Sequence, residues 1–206
     1  MTNYFFKGYR LLHEKLLFSR RCCSLTNYLC DFFPDDANQS VIDVGCGDGR
    51  ISYGISKIKT NLNFLGIDVF SRDSCAINFQ VYDGKKIPFD DKSFDYVMFV
   101  DVLHHTNNIE DLLLEAKRVS RKRIIIKDHY SNNIIDDFLL RVADIVGNFS
   151  YGVNLPFNFL SKKEWEDMFI KNSFTQTKIQ TEFKLYPPIL NKIFGERIQF
   201  ITSLEW

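Results

Sequence analysis

In the stretch VIDVGCGDGR, from Val41 to Arg50, a short apolar run stops at three alternating glycines. Its first four residues have the length and composition of a buried β-strand. Gly45, Gly47 and Gly49 follow at every second position, and apolar residues at helical spacing begin after Arg50. A glycine-rich turn between a strand and a helix lets the backbone approach a ligand closely. The stretch therefore predicts a ligand-binding strand–turn–helix unit.

The spacing of the glycines argues against two familiar ligand-binding turns. A P-loop has the pattern G-x-x-x-x-G-K-[ST], and neither Lys-Ser nor Lys-Thr follows this turn. The dinucleotide fingerprint G-x-G-x-x-G would need a glycine where Arg50 stands. The pattern present is Asp43-x-Gly45-x-Gly47-x-Gly49, in which an acidic residue precedes the glycines. We therefore expect a ligand other than a P-loop phosphate or a dinucleotide.

The length and composition of the chain fit one globular domain. Its 206 residues, of which 45% are hydrophobic, are enough for a sizeable core. The 26 basic residues balance 26 acidic ones, so we expect no nucleic-acid partner. The five cysteines are an odd number without zinc-ligand spacing, which indicates reduced thiols in a cytoplasmic protein. No segment is apolar over the length of a bilayer span, so we expect no membrane partner.

Short apolar runs alternate with helical patterns along much of the chain. The runs of strand length are Val41–Val44, Phe64–Val69, Phe79–Tyr82, Tyr96–Val100 and Ile124–Ile126. Helical spacing covers Arg50–Ile58 and NIEDLLLEAKRVS, which is Asn108–Ser120. Strands that are apolar throughout and alternate with helices predict a parallel sheet covered on both faces.

The C-terminal third has a different pattern. Asn132–Asn148 is amphipathic with helical spacing, and Ser161 followed by Glu164 is the signature of a capping box at the start of a further helix. Two runs near Phe174–Phe183 and Ile198–Leu204 then predict an antiparallel pair of strands joined by a long link.

The ordered set of motifs resembles the class I S-adenosylmethionine-dependent methyltransferases, and among them the small-molecule enzymes related to those of quinone biosynthesis. The resemblance rests on the glycine turn, FLGIDV with Asp68 at the end of the second strand, YDGKKIPFDDKSFDYVMFVDVLHHTNN, and RIIIKDHY. It covers Val41–Phe169 and is specific as an ordered set. It implies an α/β Rossmann-like fold whose seven-stranded, mostly parallel sheet has an antiparallel C-terminal strand. It also implies one domain over 1–206, with a helical cap at 1–36 and an insertion or lid after strand five at 129–160.

The same resemblance implies that S-adenosylmethionine is the cofactor and S-adenosylhomocysteine the product. Asp43 would lie near the cationic methionine end, Asp68 would accept hydrogen bonds from the ribose hydroxyls, and Asp83 would hold the adenine amino group. These positions lie at the carboxyl ends of parallel strands, where open α/β sheets bind ligands. The cofactor-binding residues so implied are Asp43, Gly45, Cys46, Gly47, Gly49, Asp68, Val69, Asp83, Gly84, Val100 and Asp101.

One region departs from the family pattern. The segment VFSRDSCAINFQVY separates Asp68 from Asp83. About eight residues lie between its two apolar runs, fewer than the roughly ten to twelve that a crossover with its helix needs. We therefore predict that the helix between strands two and three is lost, and that a short loop forms the wall near the ribose and adenine.

Methyl transfer requires alignment of donor and acceptor, and removal of a proton where the acceptor carries one. Histidine is the natural base near neutral pH. We predict His129 as the catalytic base or substrate contact, with His105 as the second choice. The alternative is that His104 and His105 cap the helix after strand four or touch the cofactor.

Candidates for acceptor contact in the region after strand five are Tyr130, Arg141, Tyr151 and Asn158.

A metal site is an alternative use of the same strand ends. Asp101 and the pair Asp128-His129 resemble the metal-ligand positions of catechol-type O-methyltransferases, which carry Asp and then Asp-Asn. Magnesium prefers oxygen ligands, and His129 stands where Asn is expected. We therefore predict no metal at these residues.

The sequence thus predicts methyl transfer from S-adenosylmethionine to a small-molecule acceptor, by a monomer or homodimer. Two other functions fit the same fold. One is a non-catalytic S-adenosylmethionine-fold module that regulates or scaffolds a partner. The other is an aminopropyltransferase, which would need an acidic pocket for a polyamine. The motifs leave open the acceptor and the methylated atom, because the least recognisable segments build the acceptor pocket.

Overall fold

The computed structural model describes residues 19–35, 38–148, 155–195 and 197–206. Of the predicted helical cap at 1–36, residues 1–18 and 36 lie outside these ranges. So do residues 149–154 of the predicted lid, and with them the candidate acceptor contact Tyr151. Within the described ranges, none of the helices is long and apolar enough to cross a bilayer.

The described chain alternates strands and helices in its N-terminal two thirds. The strands are β1 (Gln39–Val44), β2 (Leu62–Asp68), β3 (Phe79–Val81), β4 (Phe94–Val100), β5 (Ser120–His129), β6 (Thr175–Gln180) and β7 (Gln199–Glu205). The helices are α1 (Ser19–Cys30), α2 (Arg50–Ile58), α3 (Ile109–Val119), α4 (Ile134–Asn148), α5 (Lys162–Lys171) and α6 (Pro188–Phe194), with a 3₁₀ turn at Leu103–His105. The predicted α2 is confirmed at both ends, and the predicted α3 is confirmed within one residue at each end. The capping box of Ser161 and Glu164 is confirmed at the start of α5.

The seven strands form one sheet in the order β3-β2-β1-β4-β5-β7-β6. The pairs from β3 to β5 are parallel, and β7 runs antiparallel to both of its neighbours. The strand order reverses between β1 and β4, and open α/β sheets bind ligands at the carboxyl ends of strands at such a point. The predicted seven-stranded, mostly parallel sheet with an antiparallel C-terminal strand is confirmed.

The crossover from β2 to β3 contains no helix, in a stretch that the structure describes completely. Residues 69–78 instead run as an irregular segment that packs on the glycine turn. The Ala76 N–H donates to the Asp48 carbonyl at 2.8 Å, and the Cys75 and Ile77 side chains lie against Gly49. The predicted loss of this helix is confirmed.

Helices cover both faces of the sheet, because the central strands are apolar on both sides. Along β4, Val97 and Phe99 belong to one buried cluster, together with residues of α3 and α5. Tyr96 and Met98 alternate with them and belong to a second cluster, together with residues of α1 and α2. Successive strand residues point to opposite faces, so this alternation is the expected result of a sheet buried on both sides.

β5 is longer than the apolar run predicts. The run indicated a strand over Ile124–Ile126, whereas the observed strand extends over Ser120–His129. Its continuation includes Lys127 and Asp128, both completely buried. A buried charge is tolerated when it is paired, and each of these two has an ionic partner. Charged residues therefore continue the strand into the carboxyl edge of the sheet.

Candidate functional site

The turn between β1 and α2 is built from three glycines in the left-handed region. Gly45, Gly47 and Gly49 have φ angles of 76°, 58° and 72°, which other residues rarely adopt. A Cβ at Gly45 would lie 2.5 Å from Val102, whereas a Cβ at Gly47 would meet nothing within 4 Å. Gly45 is therefore required by packing, and Gly47 presents its backbone to open space.

Asp68 holds the turn from the end of β2. Its carboxylate accepts hydrogen bonds from the Gly47 N–H at 2.8 Å and the Phe70 N–H at 2.9 Å. The Arg72 guanidinium lies 3.7 Å from the same carboxylate. Cys46, next to Gly47, is half-buried, and burial raises the pKa of its thiol. Asp68 thus provides a fixed, buried anion beside the open backbone of Gly47.

Asp43 is a buried carboxyl group within β1, two residues before the turn. Its Oδ2 accepts a hydrogen bond from the Ser52 hydroxyl at 2.5 Å, and its Oδ1 has no hydrogen-bond partner in the described part of the chain. Burial raises the pKa of Asp43 to about 7, opposed by the Ser52 hydrogen bond and assisted by the charge of Asp68. A cation or a hydrogen-bond donor would stabilise such an oxygen.

The ends of β2 and β3 form the rim of the site. Gly84 has a φ of 76°, and a Cβ there would lie 2.9 Å from the exposed side chain of Val69. Asp83 is exposed, and its carboxylate accepts the N–H groups of Lys85 and Lys86 at 2.8 and 3.0 Å. These backbone donors lower the pKa of Asp83. Asp83 is therefore ionised and bound within its own turn.

β4 ends in a left-handed residue, Asp101, with a φ of 56°. Its carboxylate pairs with Arg21 of α1 and with Lys127 of β5. Burial alone would raise the pKa of Asp101, but these two positive charges hold it well below its usual range. The Arg21 Nε–H also donates to the Tyr186 hydroxyl at 3.2 Å. The Asp101 side chain thus forms ion pairs with two cations. The strand ends at Val100, directly before Asp101.

Lys127 lies in the interior beside His129. Burial lowers the pKa of Lys127 to about 8, partly offset by the charge of Asp101. Its Nζ lies 3.4 Å from His129 Nε2. Burial, followed by the charge of Lys127, lowers the pKa of His129 to about 4. The His129 imidazole is therefore neutral near pH 7, and its Nδ1 lies 3.5 Å from Asp128 and 3.6 Å from Asp101.

Two further histidines occupy the 3₁₀ turn after β4. His104 Nδ1 and Asp128 Oδ1 are 2.6 Å apart, and the ring stacks on Phe159 with centroids 4.9 Å apart. Burial alone would lower the pKa of His104, but the charge of Asp128 raises it to about 10. Burial and the charge of His104 lower the pKa of His105. The neighbouring histidines therefore differ in protonation because their surroundings differ.

The helix after β4 is capped by Asn108. Its side chain accepts the Asp111 N–H at 3.2 Å, whereas His104 and His105 belong to the 3₁₀ turn before it. The alternative in which these histidines cap the helix is therefore wrong. Their Nε2 atoms instead lie near the carboxylate of Asp144, which α4 brings over the turn.

The candidate acceptor contacts are dispersed. Tyr130 is a core residue rather than an acceptor contact, since it is buried and stacks on Phe200 with ring centroids 4.4 Å apart. Arg141 forms an ion pair within α4. Asn158 donates its side-chain N–H to the Thr106 carbonyl at 3.2 Å. Thr106 directly follows His104 and His105 in the sequence. Among these candidates, Asn158 thus lies beside the 3₁₀ turn that carries His104 and His105.

Three charged residues of the site were missed by sequence reasoning, namely Arg21, Lys127 and Asp144. A signal existed for Lys127, a cation directly following an apolar strand run. Arg21 and Lys127 engage the carboxylate of Asp101, and His104 and backbone N–H groups engage that of Asp128. These two carboxylates therefore do not form the oxygen-rich set that magnesium prefers.

The fold defines a Rossmann-like α/β protein whose candidate ligand site lies at the topological switch point. The residues fit S-adenosylmethionine. The unpaired oxygen of Asp43 suits its cationic methionine end, and Asp68 beside the open backbone of Gly47 suits its ribose diol.

Comparison with known proteins agrees with this class. Residues 42–125 match the sequence family described as a methyltransferase domain. A solved S-adenosylmethionine-dependent methyltransferase from Aquifex aeolicus superposes with a TM-score of 0.61 at 16% identity, over 90% of this chain and 92% of that one. At this identity the likeness shows a shared fold.

Two curated relatives carry names from quinone biosynthesis. The demethylmenaquinone methyltransferase of Tropheryma whipplei is 31% identical over 100 residues, 44% of this chain and 41% of that protein. The ubiquinone biosynthesis O-methyltransferase of Rickettsia bellii is 26% identical over 110 residues, 46% of this chain and 43% of that protein. The matches thus span about two fifths of the length of these relatives. By fold, and by sequence over residues 42–125, the chain is similar to the class I S-adenosylmethionine-dependent methyltransferases.

Proposed function

We propose that this protein transfers a methyl group from S-adenosylmethionine to a small-molecule acceptor and releases S-adenosylhomocysteine. The observation that carries the proposal is the pair of buried acidic side chains at the glycine turn: Asp43, in the strand that leads into it, and Asp68, which accepts the N–H of Gly47. S-adenosylmethionine supplies a methyl group on a sulfonium, where it is already activated for displacement. The protein has to bind this donor, align the acceptor and accept a proton.

The cofactor end of the site would use groups that the fold already holds in place. Asp68, fixed by two backbone N–H groups, accepts hydrogen bonds from the ribose hydroxyls. Asp43 attracts the cationic methionine end, which favours its ionised form. Val69 and Gly84 supply the rim beside the adenine, and the exposed Asp83 lies next to them.

The acceptor end would use a neutral histidine. The lowered pKa values of His129 and His105 leave both imidazoles uncharged near pH 7, so that either can accept a proton. His129 is the first choice because it ends β5, at the carboxyl edge next to Asp101. A small acceptor is favoured by the relatives named for quinone biosynthesis, and by the balanced charge of the chain.

Calorimetric titration with S-adenosylhomocysteine tests the cofactor assignment. We expect binding to be lost in Asp68→Ala, which removes the ribose acceptor, and in Gly47→Val, whose side chain would fill the open space. Asp90→Ala, at an exposed aspartate outside the site, is the matched control and should bind as the wild type does. Circular dichroism establishes that each variant is folded. Unchanged binding in both site variants would refute the assignment.

Product analysis separates methyl transfer from the two other functions of this fold. The protein is incubated with S-adenosylmethionine and a panel of small phenols, quinols and amines, and S-adenosylhomocysteine is measured by mass spectrometry. Turnover that falls at least tenfold in His129→Ala supports the proposal. Methylthioadenosine formed from the decarboxylated cofactor and a polyamine would indicate aminopropyl transfer. Cofactor binding without turnover on any acceptor class would favour a non-catalytic module.

A further inference from the structure

A compact cluster of nitrogen and oxygen ligands lies between α4 and the turn after β4. His104 Nε2 is 3.9 Å from Asp144 Oδ1, and His105 Nε2 is 3.5 Å from the same oxygen. Each of the three side chains offers one possible ligand atom within 4.8 Å of those of the other two. The side chains of His104 and Asp144 are 4% and 7% exposed, and that of His105 is 18% exposed. His104 and Asp144 are therefore buried, and His105 is the member of the cluster that solvent reaches.

Asp128 orients the His104 ring through its Nδ1 atom. Its carboxylate is held by the Leu103 N–H at 3.1 Å and the His129 N–H at 2.8 Å, and it lies 2.6 Å from His104 Nδ1. The hydrogen on Nδ1 therefore points to Asp128, and Nε2 faces His105 and Asp144. A carboxylate that holds the far nitrogen of a histidine is the usual second shell of a metal-binding histidine.

We propose that His104, His105 and Asp144 bind one zinc ion, with Asp128 as the outer carboxylate that orients His104. Two imidazoles and one carboxylate favour zinc or a similar transition metal over magnesium, which prefers oxygen ligands alone. Three protein ligands leave a fourth, open position for water or another ligand. The ion joins α4 to the end of β4, since Asp144 belongs to the helix and the histidines to the turn.

Ligand spacing favours this set over a neighbouring one. His104, Asp128 and His129 also lie close together, but the 2.6 Å between His104 Nδ1 and Asp128 is a direct hydrogen bond. Ligand atoms around a tetrahedral zinc lie about 3.3 Å apart, given bond lengths of about 2.0–2.1 Å. The separations of 3.5 and 3.9 Å in the proposed set reach this value with small side-chain movements. The proposal does not depend on methyl transfer, because its readout is bound metal.

Metal analysis of the full-length, untagged protein tests the site. After dialysis against Zn²⁺ and removal of the excess, mass spectrometry is expected to find one zinc per chain. Competition with a chromophoric chelator gives the affinity, and Co²⁺ substitution is expected to produce the visible absorption of a tetrahedral site. Asp144→Asn and His105→Ala are each expected to weaken binding by at least a hundredfold. Asp128→Asn, which removes the orienting carboxylate, is expected to weaken it about tenfold to a hundredfold.

Two controls make the outcome decisive. Asp137→Asn changes another aspartate of the same helix, outside the cluster, and should leave zinc binding unchanged. His129→Ala should also retain zinc, because His129 is a ligand only in the competing set and not in the proposed one. Zinc lost in His129→Ala but kept in His105→Ala would overturn the assignment. A folded wild type that takes up no stoichiometric zinc would also overturn it, and His104 would then be an imidazolium held between Asp128 and Asp144.

Discussion

Asp43 combines burial, an oxygen without a hydrogen-bond partner among the described residues, and a pKa of about 7. Burial disfavours its carboxylate, so the folded protein keeps this proton at pH values where the unfolded chain has lost it. The folded state therefore binds more protons than the unfolded state between about pH 4 and pH 7. It follows that the contribution of Asp43 to the free energy of unfolding falls as the pH rises through this window and is constant above it.

We expect Asp43→Asn to remove this pH dependence, because the amide does not ionise. Between pH 5 and pH 7 the wild type should lose roughly 2 kcal/mol of stability relative to the variant. Urea unfolding at several pH values from 5 to 8 measures the difference, in which the contributions of the other groups cancel. Asp90→Asn, at an exposed site, should differ from the wild type by a constant amount. A difference between the wild type and Asp43→Asn that does not change with pH would contradict the raised pKa.

In the turn between β1 and α2, two glycines of similar conformation have different surroundings. Gly45 and Gly47 both have positive φ angles. Gly45 faces the stiff, β-branched side chain of Val102, and Gly47 faces open space. One glycine therefore lets the turn fit against the chain after β4, and the other leaves room for a ligand.

The two alanine variants should separate these roles. Either substitution costs about 1–2 kcal/mol for the left-handed backbone. Gly45→Ala must also displace Val102, which adds roughly 1–3 kcal/mol. Urea unfolding should therefore rank Gly45→Ala as clearly less stable than Gly47→Ala. Titration with S-adenosylhomocysteine measures the affinity of both variants. Relative to the stability that each variant loses, Gly47→Ala should lose more affinity than Gly45→Ala. Equal stabilities of the two variants would contradict the role of Val102.

The features of the fold that the sequence predicts are those that depend on local chemistry. The glycines mark positions of positive φ, and the apolar runs mark strands buried on both faces. The contacts of Arg21 have no such signal, since Asp101 and Tyr186 lie 80 and 165 residues away along the chain. The contact between His104 and Asp128 becomes predictable once β4 and β5 are known to be neighbours. Periodicity indicates which face of a helix is buried, but not which residue it meets there.

Arg21 therefore allows a test of how the N-terminal helix is held on the sheet. Arg21→Met keeps the aliphatic length but leaves Asp101 with one cation fewer, so we expect a loss of roughly 2–3 kcal/mol in the free energy of unfolding. Arg20→Met, at an exposed position of the same helix, should change it by less than about 0.5 kcal/mol.

Combination with Asp101→Asn separates the ion pair from the rest of the packing of α1. If the pair interacts directly, the double variant should lose less stability than the sum of the single variants, by roughly 1–2 kcal/mol. Urea unfolding of the four proteins gives this coupling. Strict additivity would mean that Arg21 and Asp101 do not interact directly, and that Arg21 acts through its other contacts, such as the Tyr186 hydroxyl, beside the buried Leu25 and Leu29 of α1. Coupling would instead make Arg21 the residue through which the N-terminal helix is tied to the carboxyl edge of the sheet.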